Sequence, residues 1–214
     1  MKTRRVDTIK NYLAPDSAYW ARIPATQVDM MPTPLQMQPT AYIRDTWANK
    51  KYGETSRIEV ASVHDGETWA LRATWIGSGL GERDVKDVLM KFPDALAIAL
   101  PVRNNPVLAL MGTKDAPIHY LRWSAKKEGV QSRIATGIGL VEAGPEIKRS
   151  AQVVADGTTW HLVIARALGN GGDIAPLEAG KKTGIGFALW RGANDERAGT
   201  KAFSIEWTAL ELQA

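Results

Sequence analysis

Cysteine is absent from this chain of 214 residues. Its absence excludes disulfides, thiolate zinc sites, iron–sulfur clusters held by this polypeptide and covalently attached haem c. Histidine is scarce, with His64, His119 and His161 far apart in sequence. No pair has the spacing of a helical metal site, and there is no His-Glu-x-x-His and no Gly-x-Ser-x-Gly, so hydrolytic chemistry finds no foothold. His64 beside a turn reads as solvated, His119 after Pro117 as a loop residue, and His161 as a strand neighbour of Trp160. No run of about 18 apolar residues occurs, so no membrane span is expected. The opening MKTRRVDTIKNYLAPDSAYW carries Arg4-Arg5 but no apolar stretch after it, and does not read as a cleavable export signal. The net charge of +4 is spread along the chain. Nucleic acid would need a concentrated basic stripe; Lys181-Lys182 reads as a solvated turn, and no nucleic-acid partner is expected. The glycines of GNGG, residues 169–172, precede no helix carrying a lysine, so a phosphate loop is not expected either.

What is present is tryptophan: eight residues, as many as Phe and Tyr together. Large indoles suit a sandwich core or a ligand-binding face equally. The hydrophobic fraction of 44% and charged fraction of 23% are those of a globular chain. In RIEVASVHDGETWALRATW, residues 57–75, two alternating runs flank Asp65-Gly66, a hairpin turn signal. Trp69, Leu71, Ala73 and Trp75 share one face of its second strand. The device returns around Asp156-Gly157 in AQVVADGTTWHLVIARAL, and the echo V-x-D-G-x-T-W is either an internal repeat or hairpin chemistry used twice. Further strands are expected at ALAIALPV, at PVLALMG ending on Met111-Gly112, at 183–190 and at 201–212, with a short helical stretch in ERDVKDVLMK. Residues 1–25 read as an extended arm. In MMPTPLQMQPTAY three prolines forbid a helix and a central strand, leaving an extended edge segment that tucks Met30, Met31 and Met37 inward. The expectation is a mainly β chain, an antiparallel β-sandwich with a few short helices, with residues 26–214 forming one domain behind the arm.

Two stretches have specific wording: PVLALMGTKDAPIHYLRW, residues 106–123, and FALWRGANDERAGTKAFSIEW, residues 187–207. Together with MxPTPL, VASVHDG and KFPDALAIALPV they resemble the haem b-binding gamma subunits of the ethylbenzene dehydrogenase-like molybdenum enzymes, type II of the DMSO reductase family. The resemblance runs along most of the chain. Its most specific motif is W-x-G-x-N-x-E-R-x-G-x-K, matched by Trp190, Gly192, Asn194, Glu196, Arg197, Gly199 and Lys201.

The resemblance implies a non-catalytic electron-transfer subunit carrying one non-covalent haem b, with Met111 and Lys201 as axial ligands of the iron. A thioether favours ferrous iron, whereas a lysine binds iron only as the neutral amine, so Lys201 should lie in a dry pocket. Gly112 is expected to leave room for the porphyrin face. No arginine or lysine stands out as a holder of the haem propionates. The implied partners are a molybdopterin-containing alpha subunit and an iron–sulfur beta subunit, forming a heterotrimer that exchanges electrons with a soluble cytochrome or another carrier. The implied compartment is the periplasm, reached with a partner that bears the export signal. The start of the chain leans towards hydrocarbon or steroid side-chain enzymes; dimethylsulfide dehydrogenase and chlorate or selenate reductase are the alternative. The implied fold is similar to family 9 carbohydrate-binding modules, which raises a rival from another class: a sugar binder using Trp20, Trp47 or Trp123 as platforms. A further rival is a haem sandwich ligated by His119 or His161.

Overall fold

The computed structural model describes residues 1–77 and 92–214. The short helical stretch expected in ERDVKDVLMK lies outside them. The two Asp-Gly hairpins form as expected: strand Arg57–His64 turns into Thr68–Ile76, and Arg149–Asp156 turns into Thr159–Ala167. Gly66 and Gly157 take the positive φ the turns need. The hairpins then pair with each other, because Thr68–Ile76 lies antiparallel to Thr159–Ala167. Arg72 faces Val163 in that ladder, and each lies the same distance beyond the Trp that ends its copy of the V-x-D-G-x-T-W echo. The echo therefore coincides with a local two-fold axis, which lies midway between the hairpins.

The second layer is built on strand Ala95–Pro101, flanked by Ile118–Ser124 and Lys182–Trp190. Its sequence ALAIALP alternates small and large residues. Leu96, Ile98 and Leu100 turn inward onto Trp69, Leu71, Trp75 and Trp160 of the first layer. Ala97 and Ala99 turn outward. Trp75, Trp123 and Trp160 meet at the centre with ring centroids 5.3 to 6.2 Å apart, contacts worth about 0.5–1.5 kcal/mol each beyond their burial. The sandwich, its mainly β character and its largely antiparallel pairing match the expectation, with one strand paired in parallel.

The exception is at the start of the chain. Residues 2–5, expected as part of an extended arm, form a strand, Lys2–Arg5, parallel to Arg57–His64 on one side and to Thr208–Leu212 on the other. That strand joins the two layers. Thr3 Oγ1 meets Ser62 Oγ at 2.9 Å, and Ser62 Oγ accepts the Trp69 indole N–H at 2.7 Å, so these buried polar groups of the seam are partnered, whereas the ring nitrogens of His64 beside them are not. Downstream, Ile9, Tyr12, Trp20 and Ile23 cover the outer face of the first layer, against Ala61, Val63, Ala70, Val163 and Ala165. The apolar content of the first 25 residues is thus spent on their own sheet.

Two other expectations change. PVLALMG is no strand: Leu108–Leu110 is a single 3₁₀ turn ending on Met111, because Leu108 drops into the notch that Gly186 leaves on the neighbouring strand. Residues 201–212 hold two short strands, Ala202–Phe203 and Thr208–Leu212, not one. The proline-rich segment keeps to its expected edge, with Met31–Pro32 paired to Ala202–Phe203. Met30 enters the core, and Met37 lines the cavity described next.

Candidate functional site: a cationic cavity between two loops

The outer face of the second layer is paved with alanine. Ala97 and Ala188 form the floor of a cavity of about 430 Å³, and Met111, Met37, Ile43, Ile138, Val141 and Trp190 supply its apolar walls. The volume and the mostly apolar lining are those of a small-molecule site. Met111 and Lys201, ninety residues apart in sequence, both line it. Each arrives on a tight loop, and both loops are held in uncommon backbone states. Among the described residues, the non-glycine positions with positive φ are Asn104, Met111, Asp195 and Ala198. Three of these four belong to the two cavity loops, where strain is a recurrent companion of function.

The W-x-G-x-N-x-E-R-x-G-x-K motif is a set of instructions for one loop. Trp190 forms a wall and donates its indole N–H to the Ala198 carbonyl at 3.1 Å. A side chain on Gly192 would strike the Phe92 carbonyl; its amide donates to Asp94 Oδ1 at 2.6 Å, while Asp94 Oδ2 accepts the Trp160 indole N–H at 2.8 Å. Glu196 is buried, which raises its pKa, yet its carboxylate accepts the amides of Gly53 and Arg191, both at 2.8 Å, and reaches Asn194. Arg197 lies over the Phe92 and Trp47 rings. A Cβ on Gly199 would collide with Gln38, whose amide donates to the Gly199 carbonyl at 3.0 Å. Lys201 follows, its own carbonyl accepting the Thr33 amide at 3.0 Å.

Lys201 is 9% exposed. Its Nζ lies 3.5 Å from the Ala198 carbonyl and 5.6 Å from the Trp190 ring centre. No carboxylate forms an ion pair with it among the described residues, and burial lowers its pKa to about 8. This is the dry setting in which an amine sheds its proton. Arg122 and Arg133 line the same cavity. Arg122 stacks over Trp190 at 5.3 Å, and its pKa is lowered by burial and by the like charge of Arg133. Among the described residues, three cations and no acid therefore face one mostly apolar space. Nothing in the sequence distinguished Arg122 and Arg133; only the pairing of their two strands, with Arg133 opposite Tyr120 and Arg122 one step along the same face, brings them together.

Other expected site residues lie elsewhere. Gly112 does not line the cavity. Its φ of +85° and the approach of the Ala135 carbonyl to within 2.8 Å of where a Cβ would stand explain the glycine, so backbone packing, not a ligand face, requires it. His119 is no loop residue but a fully buried strand residue. Its Nδ1 accepts the Ala175 amide, and its Nε2 meets Ser132 Oγ, which donates to the Pro145 carbonyl. That network assigns the Nε2–H tautomer, and burial drives the pKa to about 4. His161 Nδ1 is engaged by Arg72 and Thr74. Neither histidine reaches the cavity. His64, expected in solvent, is fully buried, because the strand Lys2–Arg5 covers it. Trp20, Trp47 and Trp123 are all buried, so none offers the open ring face a sugar platform needs.

No family model matches the chain. It is 26% identical over 200 residues to dimethylsulfide dehydrogenase subunit gamma of Rhodovulum sulfidophilum, covering 90% of this chain and 72% of that one. It is 26% identical over 207 residues to chlorate reductase subunit gamma of Ideonella dechloratans, covering 93% and 79%. A Haloferax mediterranei chain, named as the heme subunit of a respiratory nitrate reductase, is 27% identical over 196 residues, covering 90% and 66%. The chain is similar to the gamma subunits of two named oxidoreductases. The first two names fall in the dimethylsulfide and chlorate group, the alternative weighed above, and none of the three is that of a hydrocarbon or steroid enzyme. In fold it is similar to a family 9 carbohydrate-binding module of Caldicellulosiruptor kristjanssonii, seen with glucose (TM-score 0.53, 7% identity, 100% of this chain and 95% of that one) and with cellotriose (0.53, 8%, 100% and 93%). At such identities the likeness concerns architecture alone. No helix among the described residues is long and apolar enough to cross a membrane.

Proposed function

We propose that this chain is a non-catalytic electron-transfer subunit that holds one haem b between Met111 and Lys201. The observation that carries the reading is the meeting of these two side chains in one apolar cavity, the lysine buried without a counter-charge. The residues fit the group. Alanines at 97 and 188 keep the floor flat, a thioether stands on one loop, and on the other is an amine that burial has moved towards neutrality. When bound, haem supplies a one-electron couple.

The chain's own residues do the rest. Met111 offers a soft neutral donor. At pH 7 Lys201 must give up a proton before it can donate; from an ordinary lysine this costs about 5 kcal/mol, and from a pKa near 8 only about 1.4. The loop motif fixes the amine by the Glu196, Gln38 and Thr33 hydrogen bonds, so little ordering is left for ligand binding. If Met111 and Lys201 both hold the iron, substrate would find no open coordination site there, and turnover would fall to a partner subunit. The relatives' names support a gamma subunit of an assembly, which we take to include a molybdopterin alpha subunit and an iron–sulfur beta subunit in the periplasm, with a soluble cytochrome as outside carrier.

Reconstitution tests this. The full chain mixed with haemin should give a low-spin spectrum, with sharp α and β bands on reduction and a near-infrared band of amine–thioether ligation. Lys201→Ala and Met111→Ala should each lose it. Unchanged spectra in both variants would falsify the assignment.

A further inference from the structure

Arg122 and Arg133 are two like charges on adjacent strands of one sheet face, directed into a cavity that no acid lines among the described residues. Among the described residues no ion pair includes either one, and no hydrogen bond from their guanidinium groups is formed. Several other arginines of this chain are neutralised or spent: Arg57 pairs with Asp29, Arg149 with Glu146, and Arg166 serves the carbonyls of Ala167, Gly169 and Ala175. Mutual repulsion and partial desolvation without a counter-ion are unfavourable, and the arrangement is relieved when an anion enters the space between them. A guanidinium recognises a carboxylate through two parallel N–H···O bonds. The ligand this asks for is flat and apolar over most of its area and carries carboxylate at one edge.

We propose that Arg122 and Arg133 form a carboxylate clamp for the ligand of this cavity, and that they set which way round it lies. The proposal rests on the haem reading, in which the carboxylates are the propionates of the porphyrin. Trp190 orients the clamp: its ring holds Arg122 on one side, and Lys201 Nζ is within cation–π distance of the same ring. The amine that would face the metal and the guanidinium that would face the ligand's acidic edge are thereby positioned by one indole. Arg122 and Arg133 are positioning residues here and touch no reacting atom.

The test compares haemin with its dimethyl ester, which keeps the ring and iron but lacks the negative charges. Soret titration of the full chain should show haemin bound at least about tenfold more tightly than the ester, the scale of one lost charge-assisted pair. In Arg122→Gln/Arg133→Gln the preference should vanish, with haemin falling to the level of the ester and the ester unchanged. Lysine at both positions should recover part of it. Equal binding of haemin and ester by the unaltered chain would overturn the clamp and leave the haem reading standing. Binding of neither would sink the reading itself, and the clamp with it. The comparison on the unaltered chain needs no variant to fold.

Discussion

Replacing Lys201 with Met should make the ligand-free chain more stable, and by an amount that depends on pH. The side chain is buried, and its pKa falls from 10.5 to about 8 on folding. At 1.36 kcal/mol per pH unit, holding the ammonium form in the folded chain at pH 7 costs about 3 kcal/mol; the Ala198 carbonyl and the Trp190 ring already offset part of the bare desolvation penalty. Methionine keeps the length of the stem and needs no counter-charge, so a gain of about 2–3 kcal/mol is expected at pH 7. The sign follows from linkage. Below pH 8 both folded and unfolded chains carry the proton, and the folded one bears the full cost. Between about 8 and 10.5 the folded chain releases it while the unfolded chain keeps it, so stability rises with pH; above 10.5 the cost is gone. Urea unfolding of the two apo-proteins at pH 7 and at pH 10 therefore should give curves that differ widely at the first pH and nearly converge at the second. A destabilised Lys201→Met chain, or a difference independent of pH, would refute the claim that the amine is held in a dry, unpaired setting.

Other outcomes follow from the loops and the seam. Asp94→Ala should cost about 2–4 kcal/mol in chemical denaturation, since it strands the Trp160 indole N–H and the Gly192 amide at once. Gly199→Ala should displace Gln38 and weaken haemin uptake, and adding Gln38→Ala should restore uptake; a double variant no better than the single one would show that the collision is not the cause. Gly112→Ala, at φ +85° and against the Ala135 carbonyl, should lose about 1–3 kcal/mol of stability. Deleting residues 1–6 should lower the urea midpoint of the isolated chain, because the strand Lys2–Arg5 bonds to both layers; an unaltered midpoint would remove it from the fold's essentials.

Much of the frame could be read from the residues because it rests on local signals. Asp-Gly at 65–66 and 156–157 dictates two hairpins whatever surrounds them, and the alternation in ALAIALP marks one large-residue face and one small-residue face. The two-fold pairing of the hairpins was hidden, being a long-range consequence of an echo whose meaning is undecided in one dimension. PVLALMG looked like a strand because apolar runs do not reveal their period at that length; the 3₁₀ turn is imposed by the notch at Gly186, on a strand far away in sequence. The burial of His64 and His119 was equally out of reach, since each depends on a segment distant in the chain. Of the site, Met111 and Lys201 were identified through the wording around them, not through their own chemistry. Arg122 and Arg133 had no such wording. How the N-terminal segment packs is not legible locally, because its apolar residues, Ile9, Tyr12, Trp20 and Ile23, follow no single period, being spaced by two 3₁₀ turns.

The parallel strand Lys2–Arg5 is wedged between Arg57–His64 and Thr208–Leu212, so Lys2 must find Glu211 across the whole stretch of chain that separates them. Hydrophobic hairpins can assemble on local contacts alone, yet the two layers cannot be sewn shut along this seam until Thr208–Leu212 is in place to pair. Folding of this chain is therefore governed by a contact of very long sequence separation, which makes for slow closure.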